Sequence, residues 1–274
     1  MQTVWAIYSF FVGACFGSFL NVCISRWPDG LSVVRPRSRC PNCGHQITAF
    51  ENIPIFSWLA LRGRCRGCGN RISFQYPLVE IVVGLLWMWA FMHYGLSFTA
   101  ARIAIFVTVL LGIAVTDMKR YLIPDEFTVF GLLFVVVTAI VSLFIGDGGD
   151  PFAGAYQALI GACVGAGAIA IAGWLGEVAL KKEAMGFGDV TLMAMVGGAV
   201  GPNRALITIF LGALIGAIVF LAVVYPISWL RARASKSDFD PPLVPFGVFL
   251  APAAVITLLW GERLISAYTR YSGL

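Results

Sequence analysis

Long apolar runs separated by short polar stretches fill most of this chain. Eight of them read as membrane helices: 4–24, 77–94, 98–116, 127–145, 155–179, 190–200, 205–229 and 244–265. A run of 19 residues such as 127–145 covers about 29 Å as a helix, close to the thickness of a bilayer's hydrocarbon core. The run 190–200 is short for a crossing, so a locally thinned bilayer or burial by neighbouring helices is expected there. The longest interruption, 25–76, is polar and reads as an insert between the first two helices. The predicted fold class is therefore an all-α polytopic membrane protein of about eight transmembrane helices. Its parts are a first helix (1–24), an insert (25–76) and a membrane domain (77–274).

Composition agrees: 59% of the 274 residues are hydrophobic, 12% are charged, and the mean hydropathy is +0.86. A soluble domain of this size has no use for so much apolar surface. The first run has no basic residue before it and arginines after it, so it is expected to be a retained span rather than a cleaved signal. Placement of charge adds orientation. Eight arginines lie in 25–76, and Lys119, Arg120, Lys181, Lys182, Arg231, Arg233 and Lys236 fall on the same side of an eight-span topology. Only Arg102, Arg204, Arg263 and Arg270 fall on the other. The positive-inside rule makes the arginine-rich side cytoplasmic and puts both termini outside. Because the basic loops alternate with spans, a nucleic-acid partner is not expected; membrane lipid is.

The insert carries its own chemistry. Cys40-Pro41-Asn42-Cys43 and Cys65-Arg66-Gly67-Cys68 are two pairs at C-x₂-C spacing, 21 residues apart. Four thiolates so arranged suit a closed, tetrahedral Zn²⁺ site with a structural role, and a reducing compartment argues against disulfides. Gly44 and Gly67/Gly69 are placed for the tight turns, and His45 is read as a turn residue rather than a ligand. Cys15, Cys23 and Cys163 lie in apolar runs and read as small core residues. Gly13 and Gly17 suit close helix packing. Glu80, near the start of the second span, reads first as a helix cap or a partner for an insert arginine.

Two aspartates stand out. Asp117 ends the third span, and Asp189, in Gly186-Phe187-Gly188-Asp189, opens the sixth. Two crossings separate them, so both lie at the same membrane face and can meet if those helices pack together. Two close carboxylates in a low dielectric cannot both ionise. One then acts as general base on a water while the other protonates the substrate, which is aspartic-protease chemistry. The plainer alternative is helix capping, which suits Asp189 and Asp125 but not Asp117, since an acid is unfavourable at a helix C-terminus. Asp125 is the rival partner for Asp189, or with Glu126 a docking point for a basic peptide.

Taken together, these residues resemble a known family. Gly17-Ser18-Phe19-Leu20-Asn21-Val22, Cys40-Pro41-Asn42-Cys43, Asn52-Ile53-Pro54, Leu61 to Cys68, Ile72 to Glu80, Asp117 to Asp125, Gly186 to Asp189 and Pro245-Phe246-Gly247 follow in the order found in bacterial type IV prepilin peptidases. These are bifunctional leader peptidase/N-methyltransferases of pilus and type II secretion systems. The resemblance implies that Asp117 and Asp189 are catalytic, with Gly186, Gly188, Asp125 and Glu126 supporting the dyad or the substrate. It implies a prepilin or pseudopilin substrate, cut after a glycine at the cytoplasmic face of the bacterial inner membrane. It also implies methylation of the new N-terminus, usually Phe, from S-adenosylmethionine, with the cysteine pairs as a zinc-associated insert. Glu80 and Asn52 are the expected S-adenosylmethionine contacts. Thr191 departs from the family, which usually has lysine there. Two alternatives stay open: a peptidase without methyl transfer, and a zinc-bearing transporter or scaffold with the acids as polar gates.

Overall fold

The apolar runs become helices because backbone polar groups within hydrocarbon must be paired inside the segment itself. The computed structural model describes residues 2–145, 151–181, 185–235 and 244–272, and among these it holds no strand beyond two isolated bridges. The helices are α1 (Gln2–Arg26), α2 (Phe56–Ala60), α3 (Gln75–Tyr94), α4 (Phe98–Arg120), α5 (Asp125–Ile145), α6 (Ala155–Leu180), α7 (Phe187–Val200), α8 (Pro202–Val219), α9 (Tyr225–Ser235) and α10 (Gly247–Ser272). Seven stretches are long and apolar enough to cross a membrane, and α7 is a shorter eighth. The chain forms two compact units, Met1–Gly112 and Ile113–Leu274, which divide within α4.

In the first unit α1 and α3 run antiparallel along a glycine seam. A Cβ on Gly13 would lie 2.7 Å from the Trp87 side chain, one on Gly17 2.8 Å from the Glu80 Cα, and one on Gly84 2.8 Å from the Phe10 ring. Trp87 stacks on Phe16 at 4.5 Å, and its indole N–H donates to Thr108 Oγ1 (2.9 Å). The insert is built of two small hairpins, each closed by one bridge, Arg39 with Gln46 and Arg64 with Arg71. Gly44 and Gly69 take positive φ (72° and 70°) at the turns, as glycine alone does without cost. Gly67 does not; it lies instead against His45 and Cys43.

In the second unit, α6 and α7 cross at backbone contact. A Cβ on Gly161 would strike the Gly197 carbonyl, one on Gly197 the Gly161 carbonyl, and one on Gly165 the Met193 carbonyl. Between α8 and α10 the hydroxyls of Thr208 and Thr257 meet at 2.6 Å.

At 14 residues α7 spans only about 21 Å. Of the two expected explanations, burial by neighbours is the one observed: Leu192, Met193, Met195, Val196 and Ala199 are fully buried. Its C-terminal carbonyls find protein partners, Ala199 O accepting from the Ala153 N–H (2.8 Å) and Val200 O from Arg204 Nε (2.6 Å). Arg204 also donates to Pro151 O (2.7 Å) and lies 3.7 Å from Glu262.

Some boundaries differ from the sequence expectation. The seventh span does not end at 229: Phe220–Val224 forms a π-helical turn and α9 continues to Ser235. Pro226 lacks the N–H that an α-helical ladder needs, and a widened turn just before it accommodates the ring. The polar loop expected from 230 therefore starts later, and α10 runs past 265 to Ser272. Lys182, in the loop before Asp189, and Lys236 lie outside the described residues.

Arg204→Met keeps side-chain bulk but leaves two buried carbonyls unpaired. It is expected to cost about 2–4 kcal/mol, measured as a lowered unfolding midpoint in detergent micelles.

Candidate active site and metal centre

Asp117 sits in the last turn of α4, where its own helix dipole opposes a negative charge. Another helix compensates. The Val248 N–H, in the first turn of α10, donates to Asp117 Oδ2 at 3.2 Å, and the backbone of Gly247 also bonds to this carboxylate. A helix N-terminus has free N–H groups and positive polarity, which suit an anion. The approach is so close that a Cβ on Gly247 would lie 2.8 Å from Asp117 Oδ2. Asp117 is buried.

Asp189 is the third residue of α7, and Gly186 is the N-cap. The Asp189 carboxylate reaches back to the Gly186 backbone, and the Asp189 N–H donates to Gly186 O (3.1 Å). This is half of a capping box, so the capping role expected as the plainer alternative is present. It does not exhaust the residue, because Asp189 also interacts electrostatically with Asp117. Ile123 fills the space between their supports. A Cβ on Gly188 would lie 2.9 Å from Ile123 Cβ, and one on Gly247 3.0 Å from Ile123 Cδ1.

The rival partner Asp125 begins α5 and is exposed, as is Glu126. Thr191 donates its hydroxyl to Gly188 O (3.0 Å), one turn back in α7. Gly247, Val248 and Ile123 had no assigned part in the sequence reading. Pro245-Phe246-Gly247 was visible as a motif, but nothing local in it says which acid it receives.

The four insert cysteines come together. Their Sγ atoms all lie within 4.8 Å of one another, with Cys40–Cys68 and Cys43–Cys65 each at 3.9 Å. A tetrahedral site with Zn–S bonds of about 2.3 Å has edges of about 3.8 Å, so the donor set and span fit such an ion. The backbone N–H groups of Asn42 and Cys43 hold the Cys40 thiol down to about 6. For Cys43 the His45 backbone acts downward, but burial and the surrounding thiols outweigh it and push the group up to about 12. His45 stands outside the cluster. Its Nε2 faces Glu51 Oε2 at 3.2 Å, and Glu51 also accepts from the Thr48 N–H (2.9 Å) and lies 3.8 Å from Arg66. The Thr48 N–H, opposed by burial and aided by His45, holds the Glu51 carboxyl below its ordinary range. Glu51 thus ties the first hairpin to the second.

Among the described residues, neither an arginine nor its own helix end engages Glu80, contrary to expectation. It is buried, and its Oε2 accepts the Ile55 N–H at 2.7 Å. Asn52 borders a cavity of about 320 Å³ with Phe19, Arg26, Arg37 and Thr48. One wall is the base of the first hairpin, where the Ile47 N–H donates to Ser38 O (2.9 Å).

The sequence model for the Bacterial Peptidase A24 N-terminal domain matches residues 11–94, and that for the Type IV leader peptidase family matches 104–221. A "Prepilin leader peptidase/N-methyltransferase" of Stutzerimonas stutzeri is 36% identical over 286 residues, covering 96% of this chain and 93% of the relative. The protein of that name from Pseudomonas aeruginosa is 34% identical, covering 96% and 92%. A Myxococcus xanthus protein, also so named, is 41% identical over 224 residues, or 80% of this chain and 64% of the relative. No solved structure gives a match.

Elemental analysis of the purified protein is expected to find about one Zn²⁺ per chain, lost when Cys40 and Cys68 are both changed to Ser. Unchanged metal content in that double variant would contradict the assignment.

Proposed function

The chain belongs to the type IV leader peptidase family, and from that we propose that it removes the basic leader of prepilins and pseudopilins and methylates the new N-terminus. Cleavage takes place at the cytoplasmic face of the bacterial inner membrane, with the insert on the same side and both termini outside. The observation that carries the peptidase reading is a buried carboxylate, Asp117, held by a helix N-terminus and in electrostatic reach of Asp189.

The pair works as an aspartic dyad. Close carboxyls in a poorly solvated site hold one proton between them. The ionised member takes a proton from a water, which attacks the carbonyl carbon of the leader's last glycine. The protonated member gives its proton to that carbonyl oxygen; the new acid then protonates the departing amine as the C–N bond breaks, and the other carboxylate takes a proton back from the diol. The Val248 and Gly247 backbone supports Asp117 through these changes of charge without itself taking up a proton. Gly186 leaves room for an extended substrate backbone beside Asp189, and Gly188 supports the dyad by letting the start of α7 lie against Ile123. Asp125 and Glu126, exposed at the start of α5, receive the basic leader.

In the insert, Zn²⁺ is structural, since four thiolates close its coordination. S-adenosylmethionine, when bound, supplies the methyl group. The cavity beside Asn52 suits it chemically: Phe19 offers an apolar face, Asn52 and Thr48 offer hydrogen bonds, and Arg37 complements a carboxylate. Glu80 contributes by holding Ile55, three residues from Asn52.

The test uses purified protein in lipid vesicles with a prepilin peptide and radiolabelled S-adenosylmethionine. Gly247→Val, which displaces Asp117 from its seat, is expected to lower leader release at least about 100-fold. The same variant still methylates pre-cleaved peptide. Asn52→Ala is expected to show the reverse, with cleavage kept and methylation lost. Asp125→Asn combined with Glu126→Gln is expected to raise KM for basic leaders while leaving kcat unchanged. Full cleavage by Gly247→Val would contradict the reading of the active site.

A further inference from the structure

The insert was expected to be polar throughout, yet its middle is not. From Ile53 to Leu61 the sequence Ile-Pro-Ile-Phe-Ser-Trp-Leu-Ala-Leu carries no charge. The structure places the tip of this stretch far along a membrane-spanning helix. Phe56 stacks on Phe11 of α1, with ring centroids 5.9 Å apart and planes at 24°. Phe11 precedes Arg26, at the basic end of α1, by 15 residues, or about 22 Å of helix. Half of a bilayer's hydrocarbon core is only about 15 Å.

The backbone at the tip is arranged as hydrocarbon requires. Pro54 has no N–H to satisfy. The Phe56 N–H donates to Pro54 O (2.6 Å), the Ser57 N–H to Ile53 O (3.1 Å) and the Leu59 N–H to Ile55 O (3.1 Å). The first of these closes a γ-turn around Ile55, whose φ of 65° and ψ of −54° are costly for a β-branched residue. That turn leaves the Ile55 N–H pointing away from the segment, and it is met by the buried carboxylate of Glu80 at 2.7 Å. A turn bathed in water needs no such partner, because water supplies it. In a bilayer, irregular backbone persists only where protein groups satisfy it.

The two faces of the segment differ. Trp58 points back into the insert, donating to Ile72 O (3.3 Å) and packing edge-on against Phe74. Ile53, Phe56 and Leu59, three residues apart, point outward and are 44%, 54% and 59% exposed.

We propose that residues 53–60 form a re-entrant element whose outer face, Ile53, Phe56 and Leu59, is covered by lipid acyl chains beside α1 and α3. Glu80 is then the internal partner that lets the irregular tip enter hydrocarbon. This holds whatever reaction the chain catalyses.

Photo-crosslinking of the full chain in phosphatidylcholine/phosphatidylglycerol vesicles tests it. p-Benzoylphenylalanine replaces Phe56 or Leu59, and Asn42 serves as the aqueous control. The expected result is a mass increase of a phospholipid at Phe56 and at Leu59 and none at Asn42. Absence of lipid adducts at both apolar positions would overturn the proposal. So would adducts that disappear in favour of a prepilin peptide when one is added, since the face would then be a peptide site. Oxidative footprinting of the unsubstituted chain gives a second reading. Phe56 and Leu59 should stay unoxidised in vesicles although more than half of each side chain is left uncovered by protein, and their oxidation at the rate of freely exposed side chains would overturn the proposal equally.

Discussion

A polar group inside hydrocarbon must find its partner within the protein, because no water is there to serve. Helices meet this demand for their own backbones, and what remains are the places where a helix ends, shortens or carries a charge. Each is solved by a specific contact. Arg204 takes up the Val200 carbonyl at the end of the short α7 and the Pro151 carbonyl before α6, and Glu80 takes up the Ile55 N–H. Asp117, an acid at the unfavourable end of α4, is received by the N–H groups that open α10. The last contact matters most, because it fixes a carboxylate at a buried position.

That seat underlies the chemistry proposed for the site. A lone buried acid is a liability, but in the proposed dyad one held by a helix N-terminus exchanges protons with a second acid beside it. The glycines around the pair follow from the same requirement for close approach. Gly247 brings backbone N–H groups to Asp117, and Gly188 lets the start of α7 lie against Ile123. Asp189 needs no separate support, since its position in the first turn of α7 lets it cap its own helix and face Asp117 at once. The cysteine cluster is organised differently. Its hairpins have little apolar core, so cohesion rests on four sulfur atoms and on Glu51, which joins the two halves.

Much of this was readable in the amino-acid order. Among the described residues, hydrophobic run length located eight apolar helices, and the parity of crossings predicted Asp117 and Asp189 at one face. Cysteine spacing found the four-thiol cluster, because C-x₂-C is a local geometry. What escaped were contacts between residues far apart in the chain. The Asp117–Val248 bond joins positions 131 apart, and no periodicity in either segment encodes it. Glu80 was read as a cap or an ion-pair partner because both are common near a helix start. Its real partner, a backbone N–H exposed by a γ-turn at Ile55, has no sequence signature. The continuation of α9 to Ser235 was missed because polar composition was taken as the end of the helix, whereas helices can extend past the bilayer surface.

The central claim is that Asp117 and Asp189 act as one unit. It is tested most directly by the rate of leader cleavage in Asp117→Asn, Asp189→Asn and the double variant, each first shown to keep its fold and metal. Groups that act together lose together, so the account predicts three equal losses, each at least about 1,000-fold. A single variant that cleaves at the wild-type rate, or a double variant much slower than either single, would contradict it.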